Sequence, residues 1–275
     1  MAKTALIVGG SGQIGYVAAK ILTAAGWSVR CGQRTPTALA PELIALGVEA
    51  IGLDRSTPGA IADAVGSGVD VLIDAVAYDE THARQLLEVQ SAVGVIVVIS
   101  SASVYCDGQG RTLDEARSNG FPRFPVPIPE DHPTVAPGPQ TYSTRKVALE
   151  QALLQGATAP VTILRPCAIY GPASHSLREW WFVKRILDGR RRIPIAYGGK
   201  SRFHTSATVN IAALILTVLG KPATQVLNAA DPQSLTVMEM GDAIAATYGH
   251  EFRVIPFAGP GIGGVGDNPW ACPAR

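Results

Sequence analysis

Two side chains in the middle of the chain have the spacing of a proton-transfer pair. Tyr142 and Lys146 lie four residues apart in a segment that predicts a helix over residues 141–154, so they share one helix face. An ammonium group beside a phenol favours the phenolate and lowers the pKa of the tyrosine from its usual value of about 10. We therefore predict that Tyr142 is a general acid and base near neutral pH, with Lys146 tuning it.

A third polar residue precedes this pair along the chain. Ser101 follows an almost purely apolar run at residues 95–100, which predicts a buried strand. Ligands of open α/β sheets bind at the carboxyl ends of the strands, so we expect Ser101 at the ligand crevice. Its hydroxyl would hold a substrate oxygen in line with Tyr142.

The start of the chain carries a glycine-rich turn between a predicted strand and a predicted helix. Gly9, Gly12 and Gly15 follow the apolar run at residues 4–8 and open a helix over residues 14–25. In this context Gly9 can form the tight turn, Gly12 lets the backbone approach a pyrophosphate, and Gly15 permits close helix–strand packing. The free N–H groups of the helix start attract the anion. The turn is predicted to bind a dinucleotide.

The end of the second predicted strand bears on the choice between NAD and NADP. A carboxylate there would hydrogen-bond the ribose 2′-hydroxyl of NAD, but the chain has Gly32, Gln33 and Arg34. A guanidinium pairs well with the additional phosphate of NADP. Arg34 therefore favours NADP as the cofactor and leaves NAD open. The alternative role for Arg34 is that of a solvated surface side chain.

These residues need an alternating arrangement of strands and helices to bring them together. Apolar runs predict strands at residues 4–8, 27–31, 48–53, 69–76, 95–100 and 161–165, with helical patterns between them. Such runs are typical of an α/β fold with a doubly wound parallel sheet, the Rossmann architecture. We predict a Rossmann domain over residues 1–166 that binds NAD(P). A smaller C-terminal substrate-binding lobe over residues 167–275 is predicted to interleave with it.

Composition argues against several classes of partner. A net charge of +1 on 275 residues produces no positive electrostatic potential that would attract nucleic acid or an anionic membrane. The apolar runs are too short for a signal peptide or a membrane helix. The four cysteines are scattered, which indicates reduced thiols and no metal site. We expect a cytoplasmic protein with a small-molecule substrate.

His175 and His204 have no carboxylate neighbour in the sequence and are expected to be loop or packing residues.

Five segments together resemble one known family. They are GGSGQIG, ISSASVY, YSTRK, LRPCAIYGP and RFHTSATVNIAALI, which occur in family order and cover most of the chain. The sequence resembles the extended short-chain dehydrogenase/reductase superfamily, of the NAD-dependent epimerase/dehydratase type that acts on nucleotide sugars. The resemblance implies that Tyr142 is the catalytic tyrosine, that Lys146 also contacts the nicotinamide ribose, and that Ser101 occupies the family's Ser/Thr position.

The resemblance also implies further contacts. Asp54 is expected near the adenine, residues 75–77 beneath the cofactor, and Pro166 and Ile169 beside the nicotinamide. Ser103 and Arg202 are expected to bind substrate, Arg202 through a phosphate. The full set of implied cofactor contacts is Gly9, Gly12, Gln13, Ile14, Gly15, Arg34, Asp54, Ala75, Val76, Ala77, Tyr142, Lys146, Pro166 and Ile169. A homodimer is implied as well. The tail over residues 259–275 is expected to lack closing elements of the substrate lobe.

Together these features predict an NAD(P)-dependent oxidoreductase of the epimerase/dehydratase type with a Ser-Tyr-Lys site. Its substrate would be nucleotide-sugar-like or a small carbonyl or alcohol compound, because epimerisation, dehydration and reduction share the same first step. One alternative is a non-catalytic NADP-sensing regulator or RNA-binding relative on the same scaffold. Another is a simple NADPH-dependent carbonyl reductase, which Arg34 keeps open.

Overall fold

The protein divides into two compact units. In the computed structural model, which describes residues 2–174 and 176–272, the first unit is Met1–Ala173 with Ser206–Ala230, and the second is Ser174–Thr205 with Asp231–Arg275. The chain therefore leaves the first unit, returns to it and leaves it again. The predicted boundary was residue 166, with a C-terminal lobe that interleaves with the Rossmann domain.

A seven-stranded parallel sheet forms the centre of the first unit. Its spatial order is β3-β2-β1-β4-β5-β6-β10, which confirms the predicted Rossmann architecture. Numbered along the chain, the strands of the protein are β1 (Thr4–Val8), β2 (Ser28–Gln33), β3 (Glu49–Gly52), β4 (Val69–Asp74), β5 (Val93–Ile99), β6 (Val161–Pro166), β7 (Ala168–Tyr170), β8 (Arg192–Ile195), β9 (Thr205–Ala207), β10 (Gln225–Ala229) and β11 (Arg253–Pro256).

Helices cover both faces of this sheet. Successive residues of a strand point to opposite faces, and Leu6 and Ile7 of β1 accordingly belong to two separate apolar clusters. Helices α1 and α8 pack on one face, while α4 and α6 pack on the other. The helices are α1 (Gln13–Ala24), α2 (Pro41–Ala45), α3 (Ala60–Val65), α4 (Glu80–Glu88), α5 (Ala116–Asn119), α6 (Tyr142–Gly156), α7 (Trp180–Leu187), α8 (Thr208–Gly220) and α9 (Val237–Thr247).

The second unit has a small core of its own. Strands β8 and β11 pair in parallel, and α7 packs with α9. Phe182 and Trp270 are both buried, with stacked rings whose centroids lie 6.1 Å apart. The tail thus supplies a core side chain, Trp270, to this unit.

Several elements differ from the predicted ones. Strand β4 ends at Asp74 rather than at residue 76, because the Asp74 carboxylate accepts a hydrogen bond from the N–H of Val76 and turns the chain. Strand β5 begins at Val93 rather than at residue 95 and ends at Ile99, and the preceding helix α4 ends at Glu88. The five strands β7 to β11 were not predicted.

The described residues were also compared with what a membrane span and a metal site require. Among the helices of residues 2–174 and 176–272, none has both the length and the apolarity needed to cross a bilayer. Within the same residues, no three His, Cys, Asp or Glu side chains are grouped to hold a metal ion. Among the described residues, the four cysteines form no disulfide with one another.

Candidate functional site

The glycine turn joins β1 to α1 through close backbone contacts. Gly9 has a φ of +90°, and a Cβ atom there would lie 2.6 Å from Cγ1 of Val76. A Cβ atom on Gly15 would overlap the carbonyl oxygen of Gly9 and lie 2.9 Å from Cα of Gly10. The geometry therefore requires glycine at both positions, as the sequence predicts.

The first turn of α1 is open to an anion. Gly12 is the N-cap residue, and no side chain caps the helix. The side-chain oxygen Oε1 of Gln13 is buried and has no hydrogen-bond partner among the described residues. Ile14 is buried in the core, so only its backbone faces the helix start. The N–H groups of this uncapped first turn fit the pyrophosphate region of a dinucleotide.

The ends of β2 and β3 place the residues expected near the adenosine. Arg34 and Asp54 are both exposed, and the Arg34 charge contributes to a lowered pKa of Asp54. The larger causes of this shift are hydrogen bonds from the hydroxyl and the N–H of Ser56 to Asp54. Asp54 lines a shallow cleft with Gly52 and Thr57.

The turn after β4 lies against the glycine turn. The N–H of Ala75 donates to the carbonyl oxygen of Val8 at 3.0 Å. Val76 is 47% exposed, whereas Ala77 is buried. The N–H of Tyr78 donates to Nδ1 of His82 at 2.8 Å, which fixes the end of the turn.

The structure brings Ser101 and Tyr142 together. Ser101 directly follows β5, and Tyr142 is the first residue of α6. The Ser101 hydroxyl lies near enough to the Tyr142 phenol to lower its pKa. Ser101 also accepts a hydrogen bond from the N–H of Ser103 at 3.1 Å. The hydroxyl of Ser103 is buried without a hydrogen-bond partner among the described residues.

The pKa of Tyr142 shifts in the direction opposite to the prediction. Burial raises it, and the neighbouring Ser101 hydroxyl only partly opposes this rise. Lys146 Nζ lies 5.6 Å from the centroid of the Tyr142 ring, but the ammonium donates to the carbonyl oxygens of Ala77 at 2.6 Å and Ile99 at 2.9 Å. Burial lowers the pKa of Lys146 to about 8.

Helix α6 is fastened to the sheet by a buried ion pair one turn beyond Lys146. Glu150 and Arg165 are both buried, with Nη2 of Arg165 2.6 Å from Oε2 of Glu150. Oε1 of Glu150 accepts hydrogen bonds from Nε of Arg165 at 3.1 Å and from the Ser100 hydroxyl at 2.5 Å. Buried charged residues therefore connect α6, which carries Tyr142 and Lys146, to the end of β5, which precedes Ser101, and to β6.

The remaining predicted residues lie in several places. Pro166 is the buried last residue of β6, and Ile169 lies in β7 and packs against the core. Arg202 belongs to the second unit, where its guanidinium contacts the carbonyl oxygen of Ser234 and lies 3.8 Å from Glu239. His204 bonds the carbonyl oxygen of Asp231 through Nε2 at 2.7 Å, and His175 lies outside the described residues.

Sequence reasoning missed the charged residues beneath the catalytic ones. Asp74 is fully buried and pairs with Arg55, and Glu150 pairs with Arg165. A carboxylate inside an otherwise apolar strand is itself a signal, because a buried charge must find a partner. The sequence does not reveal which partner that is.

A comparison with protein families gives one match. Residues 5–230 match the model described as the NAD dependent epimerase/dehydratase family. The matched range includes the glycine turn, Ser101, Tyr142 and Lys146. No curated protein sequence matches the chain significantly.

Solved structures with the same fold are also found. UDP-N-acetylglucosamine 4-epimerase from Bacillus cereus is 14% identical with a TM-score of 0.71, and the match covers 94% of this chain and 86% of that one. The Bordetella bronchiseptica enzyme WbmG, in complex with NAD and UDP, is 20% identical with a TM-score of 0.70, covering 96% and 84%. dTDP-glucose 4,6-dehydratase from Bacillus anthracis, in complex with NAD, is 17% identical with a TM-score of 0.68, covering 93% and 85%.

Proposed function

Because the chain belongs to the NAD dependent epimerase/dehydratase family, we propose that it is an NAD(P)-dependent oxidoreductase with Ser101, Tyr142 and Lys146 as its catalytic residues. The observation that carries this proposal is the placement of Ser101 at the end of β5 near Tyr142 at the start of α6, with Nζ of Lys146 5.6 Å from the centroid of the Tyr142 ring. The open start of α1, in the same unit, supports a dinucleotide as the redox partner.

The chain's own residues account for the proton in such a reaction. A bound nicotinamide would take up or return the hydride of the substrate carbon. Tyr142, as the phenol, donates its proton to the substrate oxygen when a carbonyl is reduced, and the phenolate that remains takes a hydroxyl proton when an alcohol is oxidised. Ser101 holds the substrate oxygen beside the phenol. Lys146, whose ammonium is tied to two backbone carbonyls, supplies positive charge next to the Tyr142 ring.

The proposed substrate is nucleotide-sugar-like, with small carbonyl and alcohol compounds as the second class. Two of the similar structures bear the names of enzymes for UDP- and dTDP-linked sugars, which makes these sugars the first compounds to test. Arg202 stays a proposed contact for a substrate phosphate. Its substitution by Gln should raise the KM for a nucleotide sugar and leave the affinity for the cofactor unchanged.

Arg34 supports NADP as the preferred cofactor within this family. Its exposed guanidinium at the end of β2 has Asp54 as a nearby charge, and a 2′-phosphate would compete for it. Fluorescence titration with NADPH and NADH tests the preference. Arg34→Ala should weaken NADPH binding and leave NADH binding unchanged. Tighter binding of NADH by the wild type would overturn the preference for NADP. The same preference supports a simple carbonyl reductase as the second candidate function.

Tyr142→Phe tests the catalytic assignment. We expect turnover to fall at least about 100-fold, because the proton donor is lost, while cofactor binding changes far less than turnover because the aromatic ring is kept. Tyr248→Phe in the second unit is the matched control, since Tyr248 is exposed. Turnover is followed by NAD(P)H absorbance over a panel of UDP and dTDP sugars and small ketones. Cofactor binding without turnover of any compound would favour a sensor instead.

A further inference from the structure

A second buried ion pair lies at the carboxyl end of β4, beside the catalytic lysine. Asp74 has no exposed surface, and the Arg55 side chain is 13% exposed. Nη1 of Arg55 lies 2.9 Å from Oδ2 of Asp74. The proposed reaction gives neither residue a role, and a buried charge pair costs desolvation that an apolar pair would not. Stability alone therefore does not explain why the Arg55–Asp74 pair is buried at this position.

Asp74 is connected to Lys146 through a single backbone turn. Its second oxygen, Oδ1, accepts a hydrogen bond from the N–H of Val76 at 3.0 Å. The carbonyl oxygen of the next residue, Ala77, accepts the 2.6 Å hydrogen bond from Lys146 Nζ. The same carboxylate thus holds Arg55 with one oxygen and, with the other, shapes the turn that anchors Lys146.

Arg55 is held in place independently of Asp74. Its Nε and Nη2 donate to Oε1 of Gln85 at 3.1 Å and 3.0 Å, and Nε2 of Gln85 donates back to the Arg55 carbonyl oxygen at 2.9 Å. The guanidinium therefore keeps its orientation through α4. Removal of the Asp74 charge would leave a fixed, uncompensated positive charge near Lys146.

We propose that the Arg55–Asp74 ion pair is a positioning element that shapes the Ala75–Ala77 turn and sets the charge state of Lys146. The inference deepens the proposed function, since Lys146 is one of its catalytic residues, but the test below needs neither substrate nor cofactor.

The electrostatic surroundings of Lys146 make its charge sensitive to this pair. The ammonium is buried, which lowers its pKa to about 8, so neighbouring charges decide its protonation near neutral pH. Asp74 from β4 and Glu150 from α6 raise the pKa, and Arg55 lowers it. The other titratable groups that face it are Tyr142 on α6 and His82 on α4.

Two substitutions separate a charge effect from a merely structural one. Asp74→Asn keeps an oxygen that can accept from Val76 but removes the negative charge, so the pKa of Lys146 should fall by roughly one unit. Arg55→Gln removes the positive charge and should raise this pKa. Both variants break the same ion pair, so a structural effect alone would move the pKa in the same direction in both.

The pKa is read directly by NMR titration of the full chain labelled with ¹³C at the lysine ε carbon. The chain has six lysines, and Lys146→Arg identifies the resonance of Lys146. Asp70→Asn is the control, because Asp70 lies at the other end of β4 and bonds Thr4. It should leave the titration of Lys146 unchanged.

The outcomes divide as follows. Opposite shifts, with the double variant Asp74→Asn/Arg55→Gln close to the wild type, support the proposal. Shifts in one direction, or no shift in either variant, overturn it. If Asp74→Asn does not fold, Arg55→Gln alone decides, since only the proposal expects a raised pKa. A Tyr142→Phe variant with full turnover would refute the proposed function and leave this result untouched.

Discussion

Helices α1 and α6 both contribute to the candidate site, but they begin in opposite ways. Helix α1 starts at Gly12 with no capping side chain and no acidic residue in its first turn. Helix α6 starts at Thr141, where the side chains of Thr141 and Thr144 cap each other's backbone N–H groups. An open start leaves N–H groups for an anion, and a closed start fixes the side chains that follow it.

The two helices are also held to the sheet by different means. Helix α1 sits close because Gly15 has no side chain between it and the Gly9 carbonyl. Helix α6 is held by Lys146 and Glu150, whose buried charges reach β4, β5 and β6. One part of the site is thus built from backbone shape, and the other from buried polar side chains.

The largest expected effect breaks the attachment of α6. Arg165→Met leaves the buried Glu150 carboxylate without its cation and should lower the free energy of unfolding by about 3–5 kcal/mol. Urea denaturation measures the change. Arg84→Met, which breaks an exposed pair with Glu80, should cost less than about 1 kcal/mol. Adding Glu150→Leu to Arg165→Met should recover much of the loss. Similar losses for Arg165→Met and Arg84→Met would contradict the buried attachment.

The buried ammonium of α6 should give a pH-dependent stability. Below about pH 8, Lys146 is charged in both the folded and the unfolded chain. Between about pH 8 and 10.5, the unfolded chain keeps a proton that the folded chain has released, so stability from this group rises with pH. The difference in unfolding free energy between the wild type and Lys146→Met should therefore grow by about 3 kcal/mol across this range. A difference that stays flat or falls would show that Lys146 is not desolvated.

The backbone contact of α1 is tested by Gly15→Ala. Its methyl group would overlap the Gly9 carbonyl, so we expect a loss of about 2 kcal/mol of stability together with weaker NADPH binding. Gly108→Ala is the matched control, since a Cβ atom there meets nothing within 4 Å. Denaturation and fluorescence titration of both variants give the result. Equal behaviour of the two variants would argue against close packing at the turn.

The smallest expected change in stability comes from closing the open helix start. A Cβ atom on Gly12 comes no nearer than 3.4 Å to the Gly9 carbonyl, so Gly12→Ser should be accommodated. Its hydroxyl would cap α1 and raise stability by a few tenths of a kcal/mol, roughly the difference between Ser and Gly caps. The same cap would compete with a phosphate. Thermal unfolding should therefore show a small gain, and NADPH titration a loss; a gain in affinity would refute the open-start argument.

The same contrast explains what could be predicted from the sequence. Gly9, Gly12 and Gly15 act through contacts within a few residues, and Tyr142 and Lys146 share a face by helix geometry alone, so their placement follows from local rules. The partners of Asp74 and Glu150 lie 19 and 15 residues away and depend on which strands are neighbours.

Strand β10 shows the same limit at the level of the fold. Its sequence is QVLNA, in which few residues are strongly apolar. It forms a strand because its backbone pairs with the edge of β6. The pKa of Tyr142 is likewise raised by burial in the folded protein, and burial cannot be predicted from the spacing of Tyr142 and Lys146.

The interleaved division of the chain has a consequence for its synthesis on the ribosome. Strand β6 ends at Pro166, and its neighbour β10 begins only at Gln225, after a segment of the second unit has been made. At about 5–20 residues per second, these roughly sixty residues take several seconds to translate. During that interval the nascent sheet exposes the unpaired edge of β6, the kind of edge that recruits other chains. We therefore expect the yield of soluble protein to depend on translation speed between residues 166 and 225.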